Sequence, residues 1–485
     1  MRFFLLATLT IFLGACTNSH LPLYSQEMQS CLTQLQAFKQ EVNRQKVNDV
    51  QVVNHRAFPY LAFNRFSQSQ INRLVTLQDR EQWLDYTAQL ATQQRQAEYS
   101  NLIVNDYDLD VLNHCATKLV EEAKESEQIW EVLEQQAISI PDSYEPWLRV
   151  FGLYPISSRV AQSAIDREKK RIILGFNQPP KDVIHYQLSK TLLGGHSTTT
   201  QPQIAEWFSA ALGESTIHWP QLSQSQIAQL YQYYSPIVKI ETASDDDVPG
   251  TVHYEDSRQR PGVDTSKPAI YLHHSYTQLY GKTYLQLNYS LWFAGRTPTS
   301  TFDPYAGKFD AVLMRLTLDH QGQPMLLDSI HHCGCYHMVF NLTDRLVFDN
   351  ARPDTEVPLM LHRRAPSGSA TWSVTLSHGE HMIKQLEWLN RQDLPNNHKA
   401  RSLAGHSYNK LRQLPTFRHH TVSLFDQQGM LADSQRLEST YLWPFGIPSA
   451  GAMRQRGHHA IAFIGIRHFD EPRLFEQILR PATEP

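Results

Sequence analysis

Hydrophobic positions in the first half of the chain recur with helical spacing. In "QEMQSCLTQLQAFKQEV", Met28, Cys31, Leu32, Leu35 and Phe38 fall near one 3.6-residue stripe. "DREQWLDYTAQLATQQRQAEY" places Trp83, Leu84, Thr87, Leu90 and Ala91 on one side. "VLNHCATKLVEEAKESEQIWEVLEQQ" repeats the pattern through Leu112, Cys115, Leu119, Ala123 and Trp130. Gln, Glu and Lys fill the other faces, and all favour helix. A proline-marked break follows at Pro141 and Pro146. "AIDREKKRII" (Ala164 to Ile173) is a charge run, expected to be a solvated helix face; contact with anionic head groups is the alternative.

After Pro268 the period changes from helical to alternating. "KTYLQLNYSLWFA" sets Leu285, Leu287, Tyr289, Leu291 and Phe293 against Gln286, Asn288 and Ser290, which predicts a half-buried strand. "AVLMRLTLDHQGQPMLLDSI" predicts a hairpin turning at Asp319-His320-Gln321-Gly322, and "HTVSLFDQQGMLADSQRL" a similar one at Asp426-Gln427-Gln428-Gly429. "HHAIAFIGIRHF" predicts a further strand. Between the halves, 242–268 reads as a linker or long surface loop. Its Asp245, Asp246 and Asp247 lack the spacing of a calcium loop and are expected to be solvated. The fold class is therefore α+β: a mainly helical region over 25–235, then a mainly antiparallel β domain over 269–480, built as a sandwich or partly closed barrel.

The 485 residues, 41% of them hydrophobic, are enough for a large core. A net charge of -4 argues against a nucleic-acid partner. No stretch beyond the N-terminus is long and apolar enough to span a bilayer. The N-terminus, "MRFFLLATLTIFLGACTNSH", has a basic Arg2, an apolar run from Phe3 to Leu13, and then Leu13-Gly14-Ala15-Cys16. This segment resembles the signal peptide and lipobox of bacterial lipoproteins. The resemblance implies removal of the leader within 1–16, acylation of Cys16, and attachment to a membrane through that lipid, where each buried methylene contributes about 0.8 kcal/mol. Thr17, in a position where Asp would imply inner-membrane retention, implies an outer-membrane address facing the periplasm.

With Cys16 assigned to lipid, four of the five cysteines remain for an oxidising compartment. Pairing Cys31 with Cys115 would tie two predicted helices. Cys333 and Cys335 lie in "HHCGCYH", the densest chemical cluster of the chain. If the strand stays extended there, His331, Cys333, Cys335 and His337 share one face, and their atoms are the ligand types of zinc. Alternate residues are ~6.6 Å apart on a strand, so four of them cannot wrap one ion unless Gly334 bends the chain or outside ligands join. His273, His274, His458 and His459 are the candidates, and an Asp such as Asp328 would orient a metal-liganding imidazole. Three readings stand: a structural disulfide or packing, a zinc or other transition-metal site, or a redox-active Cys333–Cys335 pair.

Other motifs are weaker. Ser377 and Glu380 in "SHGEHMIKQLEWL" form a capping box, so a helix start explains the segment better than a metalloprotease site; a second strand of a hairpin is the alternative. "GGHSTTT" (Gly194 to Thr200) and "AGHSYN" (Ala404 to Asn409) lack the nucleophile-elbow pattern of hydrolases. Tyr271, Tyr276, Tyr280, Tyr284, Tyr289, Trp292 and Tyr305 are expected in the β core or in a ligand groove beside the His/Cys cluster. The expected functions are an outer-membrane lipoprotein with a metal or small-molecule site at His331–His337, a non-catalytic scaffold that binds another envelope protein, or a redox or hydrolytic enzyme.

Overall fold

The helix Gln26–Gln45 starts where the Ser25 hydroxyl accepts from the Met28 amide, and it ends at Lys46 in the left-handed region. Met28, Cys31, Leu35 and Phe38 are buried along it, as their spacing predicts. Thr76 and Asp79 form a capping box at the start of Leu77–Asn101, which buries Trp83, Leu84, Thr87, Leu90 and Ala91. The third amphipathic stretch is two helices, Leu109–Glu125 and Glu127–Gln135. Ser126 separates them because its hydroxyl caps the second. Cys31 and Cys115 are joined in a disulfide that pins the first of these helices to the third.

The computed structural model describes residues 24–482 apart from 137, 190–198, 214, 257, 299, 350–354, 367–369, 391–399, 418 and 419. The signal segment and Cys16 lie outside these, as does most of "GGHSTTT".

One eleven-stranded sheet, curled into a half-barrel, organises the rest. Its strands run in the order Leu359–His362, Met338–Asn341, Pro324–His331, Gly307–Leu318, Lys282–Arg296, Ala269–Leu279, Arg401–Ser407, Val183–Leu188, Ile237–Glu241, Ala370–Leu376, Ile383–Asn390. The predicted mainly antiparallel sheet is in fact mixed. Arg401–Ser407 is parallel to both of its neighbours, and Ala370–Leu376 is parallel to Ile237–Glu241. Two of its strands, Val183–Leu188 and Ile237–Glu241, come from before the expected β domain.

Lys282–Arg296 alternates as predicted, but it is central and covered on both faces. Gln286, Asn288 and Ser290 are buried and hydrogen-bonded to Ser275, Thr317 and His332. The Asp319–Gly322 turn joins its two strands as expected. At Asp426–Gly429 the turn is present but the flanking pairing shrinks to isolated bridges. "HHAIAFIGIRHF" forms no strand and contributes one bridge, Ala460 to His468. Ser377–Glu380 is a hairpin turn between Ala370–Leu376 and Ile383–Asn390, so the capping-box reading falls. Within 242–268, Thr251–Tyr254 and Pro261–Asp264 pair as a small hairpin.

Candidate functional site

Pro324–His331 carries the chain into the His/Cys segment, and Met338–Asn341 carries it out antiparallel, with Ser329 opposite Met338. The intervening residues are a tight loop, not an extended strand. The Gly334 amide donates to the His331 carbonyl at 2.8 Å, and the His331 amide donates to the Cys335 carbonyl at 3.0 Å. Gly334 has φ +91, and a Cβ there would sit 2.0 Å from the Ala460 carbonyl oxygen. Tyr336 is also left-handed, at φ 58. Two reversals break the alternation, so His331, Cys333, Cys335 and His337 do not share a face.

Two buried acid–imidazole chains hold the ends of this loop. In the first, Asp328 lies directly across the ladder from Arg315 and takes both arms of its guanidinium, Nε at 2.9 Å and Nη2 at 2.6 Å. Burial opposes the Asp328 charge, but Arg315 and His337 outweigh it and hold the carboxyl below its ordinary range. His337 Nε2 lies 3.3 Å from Asp328 Oδ2, and burial pushes the imidazole down, so the ring is neutral with its proton on Nε2. Its Nδ1 is buried without a partner among the described residues. Asp328 thus fixes the His337 ring, although no metal-binding group that would make His337 a ligand is present among the described residues.

In the second chain, Asp310 receives His381 Nδ1 at 2.7 Å, Arg436 Nη2 at 3.3 Å and His331 Nδ1 at 3.5 Å. Burial opposes this carboxylate too, yet His331, His381 and Arg436 hold it well below the usual range. The other ring nitrogen of His381 faces Asp247 at 3.2 Å, and the ring stacks on Phe293 at 3.8 Å. Burial lowers the His381 pKa, but the two carboxylates reverse that and raise it. Asp247, expected to be solvated, is buried. Burial works against its charge, and His381 with the amides of Gly379, Ala243 and Ser244 brings the carboxyl down to about 2. Besides His331, the sequence held one clue to this network, an acidic residue, Asp310, at the head of the apolar run "DAVLM".

Cys333, Gly334, Cys335, Tyr336 and His337 form one wall of a cavity of about 600 Å³. The opposite wall is the helix Tyr154–Gly175, through Ser157, Ala161, Ile165 and Ile172. The charge run Ala164–Ile173 therefore has its outer side in solvent and its inner side over the cavity. Both thiols are free. Hydrogen bonding with Cys333, together with burial, raises the Cys335 thiol well above its ordinary value, so it is protonated at neutral pH. Glu438 also lines the cavity. Burial pushes its carboxyl up to about 7, an effect partly offset by Arg436 and Arg296. No sequence pattern pointed to Glu438.

The remaining nominated ligands go elsewhere. His459 meets the segment through His332, ring to ring at 5.2 Å, and not through His331 or His337. His332 itself bridges Ser290 Oγ and the Arg454 carbonyl, and burial holds it near 4 and neutral. His458 contacts the Val50 carbonyl. His273 packs on Tyr408 and, with His274, lines a separate cavity of about 230 Å³. Among the described residues, no group of three or more His, Cys, Asp and Glu side chains is placed to hold a metal ion. Ser407 of "AGHSYN" is a cap, its hydroxyl accepting from the Asn409 amide. Of the aromatic series, Tyr305 and none of the other six reaches the large cavity.

No family model matches this chain, and no curated protein matches it. A solved structure described as "Toxin fold for microbial attack and plant defense" aligns with 14% identity over 38% of this chain and 77% of that one, at a TM-score of 0.18. A likeness that small carries no conclusion about fold or activity.

Proposed function

We propose that this protein is a lipid-tethered, outer-membrane protein facing the periplasm that binds an amphiphilic small molecule in the cavity between Tyr154–Gly175 and Cys333–His337. The observation that carries the reading is the cavity itself. Its volume of about 600 Å³ lies inside the range of small-molecule sites, roughly 300–1,000 Å³. Its lining is mostly apolar, with Glu168 and Lys169 on the helix wall and Glu438, the thiols and His337 elsewhere, which suits a ligand with an apolar body and polar groups. The tether rests on the lipobox resemblance at Cys16.

A fluorescent fatty-acyl probe tests the binding. Uptake by the purified chain, weakened at least tenfold when Ile165→Trp fills the cavity, is expected. No uptake by the folded protein, or uptake indifferent to that substitution, rejects the site.

A second reading has its own observation: Cys333 and Cys335 stay reduced and mutually hydrogen-bonded while Cys31 and Cys115 are oxidised. In a redox role the two thiols would become one disulfide while a dithiol–disulfide partner is reduced to two thiols. Mass-tagging of free thiols after exposure to oxidised glutathione distinguishes the two. Persistent alkylation of both cysteines rejects the redox reading and leaves the binding site standing. The transition-metal expectation gains no support from the geometry.

A further inference from the structure

The helices over the cavity have an unusual outer surface. In Pro146–Phe151, Trp147, Val150 and Phe151 are exposed, the last two at 72% and 73%. In Tyr154–Gly175, Ile172 is the sole buried residue, and Ile156, Val160, Ile173 and Leu174 face solvent. Leu153, Ile156 and Val160 recur at three- and four-residue spacing, so they form one stripe. Large aliphatic side chains gathered this way mark a surface that is covered in use.

Charge identifies the cover. Arg159, Arg167 and Lys170 are exposed along the same helix and make no ion pair among the described residues. The neighbouring basic residues are committed: Lys169 to Glu356 and the Val357 carbonyl, Arg171 to Glu168 and Glu380. An apolar stripe with an aromatic residue at its edge and unpaired cations beside it is the composition of a helix lying in a bilayer interface. Neither helix is long and apolar enough to cross a membrane. A protein partner would be expected to bring acidic groups to each cation at fixed positions. Head groups of anionic lipids answer the same cations without fixed geometry.

The stripe also joins the cavity. Ile156, Val160 and Ala164 are both exposed and part of the cavity wall, so the opening runs onto the apolar surface. Arg149 fixes the shorter helix, donating to the Phe445 and Gly465 carbonyls and stacking on Tyr144 and Tyr154. We infer that the helix pair Pro146–Phe151 and Tyr154–Gly175 docks the protein on an anionic phospholipid surface and presents the cavity mouth to the acyl layer. The ligand would then be a single-chain or single-inserted lipid acyl group that enters without crossing water. That identity rests on the cavity reading above; the docking surface does not.

The test uses the chain from Thr17 onward, so that neither the apolar leader nor a lipid on Cys16 contributes. Flotation with vesicles containing phosphatidylglycerol is compared with vesicles of phosphatidylcholine alone. Binding to the first and at least tenfold less to the second is expected. Val150→Asp with Phe151→Asp should abolish it, since both side chains are exposed and the fold does not need them. Arg159→Gln, Arg167→Gln and Lys170→Gln together should lower it roughly a hundredfold, at about 1 kcal/mol per basic residue. Absence of vesicle binding by the parent chain, or unchanged binding by the double Asp variant, overturns the proposal. So does a concentration-dependent dimer that the same Asp pair abolishes, because a second copy would then be the cover. Uptake of the acyl probe in vesicle-free solution separates the two claims. Docking without uptake removes the ligand and keeps the surface, and uptake without docking does the reverse.

Discussion

At the scale of single residues, the site depends on a backbone reversal and on a carboxyl group held out of water. Gly334 is needed twice over, by its φ of +91 and by the 2.0 Å separation that any Cβ would have from the Ala460 carbonyl. The obstacle is backbone, which cannot swing aside. Gly334→Ala is expected to destabilise the fold by about 3 kcal/mol and to lower acyl-probe uptake, measured by urea unfolding and fluorescence. Glu438 works in the opposite sense, because the folded protein strains to keep it charged. Its carboxyl releases a proton at about 4.5 when unfolded and at about 7 when folded. The native state therefore holds the extra proton between those values, and stability falls as pH rises through them. Glu438→Gln should match the parent near pH 4.5 and exceed it by up to roughly 3 kcal/mol at pH 8. Equal stabilities of the two proteins at pH 8 would show that Glu438 is not desolvated.

At the scale of elements, the helices were the most legible part of the sequence, since each carries its own period and its own cap. Every apolar position assigned to the three amphipathic stretches is at least half-buried, and Cys31 meets Cys115 because both lie on buried stripes of adjacent helices. The closed loop spans a sequence separation of 84 residues, so Cys31→Ala with Cys115→Ala is expected to cost about 2–5 kcal/mol, read as a lower guanidinium midpoint. Alternation located the strands around 282–331 but not their neighbours, because parallel pairing between Arg401–Ser407 and Ala269–Leu279 leaves no local signature. The His/Cys cluster was found for its composition and misjudged for its geometry. Period-two reasoning assumes an unbroken strand, and the turn at Gly334 and Tyr336 breaks it. Asp328 drew notice because it sits a few residues before the cluster, but its contact with His337 is part of an ion-pair network with Arg315 and not of a metal centre. Asp247 and His381, far apart in sequence, meet only through tertiary packing.

For the whole molecule, the sheet order decides whether the two halves are separable. Val183–Leu188 comes from the helical region and Ile237–Glu241 from just after it, yet they sit between Arg401–Ser407 and Ala370–Leu376. Removing them would leave two facing edges with unpaired backbone groups in the middle of the sheet. The largest apolar cluster says the same: it runs without interruption from helix residues such as Leu35 and Trp83 to sheet residues such as Leu316 and Val374. Arg412 reinforces the junction, reaching Asp49 from the far end of the chain with both side chains buried. A chain cut before residue 269 is therefore expected to yield no folded fragment, and the intact protein to unfold in one step. The measurement is urea denaturation followed in parallel by far-ultraviolet circular dichroism, which weights the helices, and by tryptophan fluorescence, which reports Trp292 and Trp372 in the sheet as well as Trp83 among the helices. Coincident curves are the expected result. Two separated transitions would mean that the strands contributed by the first half are dispensable to the sheet, and the cavity between helix and loop would then have to be assigned to whichever unit keeps binding the acyl probe.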